Sequence, residues 1–457
     1  MMFRVAWRSL VTHPVRATVL AGGFGFGIAV MAALLGVGEV ILDQAHSPAL
    51  AGGGDIAISG AFGAVESARF VMTGVLGAPD VARSLKAVAP SRKARLYLLS
   101  PRGPIGITAR GGIPSLEKAV GDPEVLPVRT WKDAPGDHAW AHPDPGLVLR
   151  AMDRFHAIPT ADPKWAASWA EWLYFNGRSG DGRTRLYLTF LVGPATSRGR
   201  RAAGVRLQLE HDGKPATYSA AAEVDEGAVL AESPDIQIAG NSVRLEGLTY
   251  RIGLKLGGLT GDLSLDASIG GSMPPAVIHG NGGWVSGYVV PALSGRMQGR
   301  LDTGRESFVL DDGVGYHDHN WGFWRDVTWQ WGQVAHETLS IVYGRVFPPA
   351  EVADPSRVPG FLAVLGPDGP LGFSTNVSID DSSLPRVAVR ARGKSVDLQL
   401  DFDVADTVGT DMALSRAPVD RPMRFLQMAG IFRATGTVAG RPIDFSSRGA
   451  AETFKAH

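Results

Sequence analysis

The chain contains no cysteine in 457 residues. Disulfides, thiolate metal sites and cysteine nucleophiles are therefore excluded together. It has no net charge either, since 45 basic side chains face 45 acidic ones. That balance removes the electrostatic case for nucleic acid as a partner. Long apolar runs are almost missing: only 17–42 qualifies, with Glu39 as its sole charge. Helical periodicity is scarce after residue 180. What abounds is glycine (58) and proline (30), which points to many turns, within a chain that is 45% apolar. The length suits two or three domains with a sizeable core.

The run 17–42 is long enough to cross a bilayer core of about 30 Å as a helix. Arg4, Arg8 and Arg16 precede it, and Glu39 and Asp43 lie at its far end. The positive-inside rule then predicts a single-pass anchor in a bacterial-type inner membrane, N-terminus cytoplasmic and the bulk of the chain outside. Gly23-x-x-x-Gly27 would let a second helix approach closely. The competing reading is a cleaved secretory signal ending near Ala49-Leu-Ala51, but the run exceeds the ~7–15 residues of a signal core. Residues 46–164 form a mixed α/β connector: a short helix over 79–88, a strand over 94–100, and a stretch at 103–112 broken by turn residues. Proline-rich 127–146 reads as a linker, with His138 and His142 as surface histidines. Asp144-Pro145 then opens a helix as N-cap and first-turn proline, with an apolar stripe of Val148, Leu149, Met152 and Phe155 packed on the first barrel.

From 165 onward strict alternation dominates. Leu248, Tyr250, Ile252, Leu254 and Leu256 share one strand face. Val205, Leu207 and Leu209 do the same before an Asp212-Gly213 turn. Leu263, Leu265 and Ile269 continue the pattern, as do Val396 to Val404. Segments 432–438 and 443–445 flank a turn near Gly440. The absence of helical crossovers argues against a parallel α/β sheet. The expected class is mostly β, with antiparallel barrels at 165–298 and 299–457 behind a 1–45 anchor segment and the 46–164 connector; the seam is expected near 290–305.

One stretch stands apart. Tyr316-His-Asp-His-Asn-Trp-Gly322, with Trp324, Trp329 and Trp331 close behind, mixes imidazoles, a carboxylate and indoles. Each buried polar atom there needs a partner, so the mixture suits a pocket gripping an apolar molecule better than a plain core. As a strand, it places Tyr316, Asp318 and Asn320 on one face and His317, His319 and Trp321 on the other. Either face is a candidate for the pocket. Trp172, Tyr174 and Asn176 alternate in the same way upstream. The alternative is a hydrogen-bonded cluster that knits the barrels together. A metal would need a third ligand beside His317 and His319, and none is evident, although His336 and Glu337 lie downstream. No metal or cofactor is expected.

The 316–322 segment resembles the signature of the carotenoid 1,2-hydratase family and its AttH-like relatives. Glu171-Trp-Leu-Tyr-Phe-Asn-Gly177 is similar to that family's opening segment, and Trp284-Val-Ser-Gly-Tyr-Val-Val-Pro291 matches a third stretch. The resemblance covers roughly 165–457. It implies two lipocalin-like barrels in one chain and chemistry on long apolar isoprenoids. Under it, His319 and Trp321 fall on positions implicated in hydration, and Tyr343 matches an aromatic one strand further on. The acidic residue expected just past that tyrosine is replaced here by Gly344-Arg345, and Arg345 suits a ligand carboxylate or phosphate. Asp318, His319 and His317 are the candidate acids for protonating a double bond. Trp172, Tyr174, Asn176, Tyr288, Tyr316, Asn320, Trp321, Trp324, Trp329, Trp331, Tyr343 and Arg345 are the candidate ligand wall. The start of the chain, 5–20, with 52–58, resembles the first helix and following strand of FtsX/MacB-type ABC-transporter permeases, which implies ABC transporter subunits as partners. The two functional expectations are a tethered carrier of a hydrophobic ligand and a hydratase, isomerase or cyclase.

Overall fold

The computed structural model describes residues 54, 56–58, 65, 67–100, 103–412 and 423–456, with Thr12 and Val15. The expected anchor at 17–42 and its flanking arginines lie outside the described residues. Among the described residues no helix is long and apolar enough to cross a membrane.

The chain divides into two units. One comprises residues up to 65 and 86–138. Its main feature is an antiparallel hairpin of Ser91–Ser100 with Gly103–Gly112. The second strand departs from the sequence pattern, in which its glycines and Pro104 read as turn formers. Cross-strand pairing over ten residues overrides that local preference. Arg110 bridges the buried carboxylates of Glu117 and Asp122 in this unit.

The other unit comprises 66–85 and 139–457. So 139–164, expected as connector, belongs with the barrels. The reason is visible in helix α1 (Pro145–Met152), capped by Asp144 accepting from the Gly146 and Leu147 amides at 2.8 and 3.2 Å. Its stripe of Val148, Leu149 and Met152, with Phe155 beyond, is buried in the first barrel's core.

Six strands position the site: β1 (Trp169–Arg178), β2 (Val285–Asp302), β3 (Gly313–Phe323), β4 (Thr328–His336), β5 (Leu339–Phe347) and β6 (Arg441–Ala456). The first sheet is antiparallel and nearly closes into a barrel. Its order runs from Lys214–Asp225 through Arg200–His211 and Thr184–Ser197 to β1, β3 and β2, then Leu259–Asp266, Thr249–Leu256, Asn241–Glu246 and Ile236–Ile238. The second, also antiparallel and nearly closed, runs Gly369–Ser374, Phe361–Gly366, β5, β4, β6, Met423–Val438, Val396–Met412, Arg386–Arg392, Asn376–Asp380. Tyr250, Ile252, Leu254 and Leu256 point inward as their alternation requires. The turn at Asp212-Gly213 has positive φ at both positions (49° and 74°), as a tight hairpin demands.

Two further details depart from expectation. Ile269 lies in a short 3-10 turn instead of continuing a strand. The division between sheets falls between Phe323 and Thr328, not at 290–305. Strand β3 is the reason: it returns to the first sheet and inserts between β1 and β2. The 316–322 segment is therefore the last strand of the first barrel and borders the second.

Candidate functional site at the seam between the barrels

The three segments singled out in the sequence are three neighbouring strands. On β3, His319 pairs with Leu173 of β1 and Val289 of β2, and Trp321 pairs with Glu171 and Gly287. Gly287 is glycine for a local reason: a Cβ there would lie 2.0 Å from the Trp321 ring. The two faces of β3 meet different surroundings.

The histidine face looks into the first barrel, which α1 and the residues after it fill. His317 Nδ1 donates to the Tyr174 carbonyl at 3.0 Å, and its Nε2 lies 3.0 Å from Asp153 Oδ2. Asp153 Oδ1 receives His319 Nδ1 at 2.8 Å, while Oδ2 also accepts the Tyr250 hydroxyl at 2.7 Å. His319 Nε2 reaches Glu171 Oε1 at 3.0 Å. The Glu171 carboxylate further accepts His156 Nδ1 at 2.7 Å and the His156 amide. Arg201, fully buried, stands 4.0 Å from its outer oxygen. With a carboxylate on each ring nitrogen, His319 is held as imidazolium: those partners outweigh burial and raise its pKa to about 9. In return, burial tends to raise the Asp153 and Glu171 carboxyls, but the facing imidazoles win and hold both below the usual carboxylate range. Trp321 stacks on His156 with centroids 4.2 Å apart, and Phe175 stacks on His317 at 4.1 Å.

The aspartate face looks into the seam, where an apolar cluster draws on both barrels. Tyr174, Tyr187, Val290, Leu293 and Tyr316 come from the first; Trp331, Val342, Ala363, Leu365 and Ala450 come from the second. Asp318 accepts the Tyr316 hydroxyl at 2.7 Å on Oδ2 and the Asn320 amide at 2.7 Å on Oδ1. Tyr316 is 2.8 Å from the Tyr288 hydroxyl, which accepts Trp331 Nε1 at 3.1 Å. No cation is bonded to Asp318, so burial raises its pKa well above the ordinary value despite those two donors. Tyr316 and Tyr288 are raised as well, by burial first and the nearby Asp318 next. At the rim, Trp172, Trp324 and Trp329 are half-buried and pack on one another at 4.6, 5.6 and 6.3 Å. Trp329 continues onto Phe425 and Phe454 of the second barrel, and its Nε1 donates to Glu452 Oε2 at 3.0 Å. Glu452 also accepts from Gln427 at 3.2 Å, and burial raises its carboxyl. A small cavity of about 50 Å³ lies further along the seam, lined in part by Asn176, Tyr187, Gly315 and Gln333.

The structure thus brings Trp172, Tyr174, Asn176, Tyr288, Tyr316, Asp318, Asn320, Trp324, Trp329 and Trp331 to one seam. His317, His319 and Trp321 point the opposite way, because alternation along β3 separates them from Asp318. Tyr343 is buried in the second barrel's own core, against Phe432 and over Gly332. Arg345 donates to the Pro355 and Ser356 carbonyls at 3.2 and 3.4 Å and covers the Phe347 ring, so a loop takes its charge where a ligand anion was expected. Sequence reading missed Asp153, His156, Glu171, Tyr250 and Glu452. Only Glu171 carried a signal, as the acid at the head of a singled-out segment.

No family model and no curated protein sequence matches the chain. Among solved structures it is similar to an AttH candidate from Nitrosomonas europaea, with 14% identity over 66% of this chain and 97% of that one, at a TM-score of 0.42. It is also similar to CghA. CghA solved with Sch210972 shows 12% identity over 67% and 95% of the two chains (TM-score 0.43), and CghA alone 12% over 66% and 94% (TM-score 0.43).

Proposed function

We propose that the seam binds an apolar, isoprenoid- or lipid-like molecule against Trp172, Trp324 and Trp329, with Asp318 as the polar group set toward it. The observation that carries this reading is the trio of half-buried, mutually packed indoles at the rim of the seam that also holds Asp318, a carboxyl whose pKa burial raises. Such contiguous aromatic surface, with a few convergent polar groups, is how apolar ligands are gripped. The 50 Å³ cavity is far below the ~300–1,000 Å³ of a drug-sized site. Binding therefore requires the rim indoles to part, and the ligand replaces their mutual contacts with its own.

A second reading, proton transfer to a polyene, is favoured by the state of Asp318. A carboxyl whose pKa is raised by burial, connected through Tyr316 to Tyr288 and, beyond it, to the Trp331 indole, meets the needs of a hydratase, isomerase or cyclase. Tethering of the barrels outside a bacterial inner membrane by 17–42, beside an ABC export system, belongs to the same proposal; its support is the sequence alone.

Solvent extraction of the purified protein, with mass spectrometry of what it releases, tests the binding. An unaltered lipid-like molecule, lost in Trp172→Ala and Trp329→Ala, supports the carrier. A chemically altered molecule, with turnover lost and binding kept in Asp318→Asn, supports the enzyme. No extractable ligand and no uptake of a hydrophobic dye would end both.

A further inference from the structure

The first barrel's interior holds a donor set that the seam does not use. His156 Nδ1, His319 Nε2 and a Glu171 oxygen all lie within 4.8 Å of one another. Both imidazole nitrogens point at the same atom, Glu171 Oε1, from 2.7 and 3.0 Å. Glu171 and His319 are fully buried, whereas the His156 side chain is 26% exposed and gives a way in.

We propose that His156, His319 and Glu171 form a site for a zinc-class divalent cation, with Asp153 as its supporting carboxylate. Two imidazoles and one carboxylate are the three-ligand set of zinc sites that keep one position open. Zinc bonds of about 2.0 Å put tetrahedral neighbours about 3.3 Å apart. The two imidazole nitrogens reach that spacing from Glu171 Oε1 by moving out from 2.7 and 3.0 Å, and all three donors already lie within 4.8 Å of one another. Asp153 Oδ1, 2.8 Å from His319 Nδ1, supplies the outer hydrogen bond that fixes a ligating ring's tautomer and orientation.

His319 turns one nitrogen toward each of two carboxylates, Nδ1 to Asp153 and Nε2 to Glu171. A cation at Nε2 leaves the Nδ1 contact with Asp153 in place. The other groups facing the site are the Arg201 guanidinium, 4.0 Å from Glu171 Oε2, and the His317 imidazole on the far oxygen of Asp153. Arg201 disfavours a cation at Oε2, so coordination falls on Oε1. Its own bonds to the Gly193, His156 and Val192 carbonyls hold it in place.

The test uses the full chain, stripped with a chelator and dialysed, then titrated with Zn²⁺ against a chromophoric chelator and with Co²⁺ followed by visible absorption. One equivalent is expected, with an affinity that weakens as pH falls. His156→Ala alters only the exposed member, leaves the buried His319–Glu171 pair, and should weaken binding by about 100-fold or more. Asp153→Asn, where it folds, should weaken it by about 10- to 100-fold. The double variant His138→Ala/His142→Ala should bind as the parent does. No stoichiometric binding by the parent, or undiminished binding by folded His156→Ala, would overturn the site. So would loss of binding in the His138/His142 variant.

Discussion

Two aspartates, Asp153 and Asp318, lie beside the same strand and behave in opposite ways. Both are buried, and both accept hydrogen bonds from two or more groups. Asp153 faces two imidazoles, and its carboxyl is driven below the ordinary range. Asp318 faces a phenol and an amide, and burial drives it well above. Burial disfavours the ionised form at both sites; only a cation in contact reverses the outcome. One face of β3 is thereby a closed ionic lock. The other is a carboxyl whose ionisation burial disfavours, next to aromatic surface.

The largest effect expected from breaking this contrast is at the lock. Asp153→Asn leaves His319 with one anionic partner and removes an acceptor from His317 and Tyr250. Removing one member of a buried ion pair costs about 3–5 kcal/mol. A fall of that size in unfolding free energy by denaturant titration is the prediction, and an effect below ~1 kcal/mol would contradict the ionic assignment.

The pH profile sharpens the same contrast. His319 has a folded pKa of about 9 against an ordinary 6.5. Its contribution is therefore fully present below pH 6.5 and is lost as pH rises through about 9. Asp153 and Glu171 are depressed, so their contribution is present above the unfolded carboxylate pKa and is lost as pH falls through their folded values. Asp318 runs the other way: its raised pKa favours the folded state at low pH, and that advantage fades as pH rises. Thermal melts should thus show a weakly acidic optimum. Asp318→Asn should flatten the part of the decline that begins above the ordinary carboxylate pKa, and an unchanged slope would count against a raised Asp318 pKa.

Smaller effects belong to the rim. Trp172→Ala or Trp329→Ala should weaken binding of a hydrophobic dye by about tenfold, or ~1.4 kcal/mol, as for a buried aromatic anchor. Tyr316→Phe should cost about 1–2 kcal/mol of stability, since its hydroxyl bonds both Asp318 and Tyr288. Equilibrium dye titration and denaturant melts read these two.

Much of this architecture was legible in the residue pattern. Alternation at 250–256 and 396–404, the Asp212-Gly213 turn and the Asp144 cap all follow from local rules, and all appear; Leu248, expected on the same face, lies in the preceding turn. The strand 103–112 was not legible, because its glycines and proline hide a pairing that only the neighbouring strand reveals. The division between barrels was misplaced because β3 pairs with β1, some 140 residues earlier. The seam was legible in part: Trp172, Tyr174, Tyr316, Asp318 and Trp331 share one strand parity or its neighbour. The lock was not, because Asp153 and His319 stand 166 positions apart in the chain. Nothing local marks an aspartate after a short helix as the partner of a distant histidine.

Infrared difference spectroscopy of the parent against Asp318→Asn at neutral pH tests the central claim most directly. The account predicts a protonated carboxyl carbonyl band in the parent that vanishes in the variant. A parent spectrum showing only ionised carboxylate at that position would contradict it.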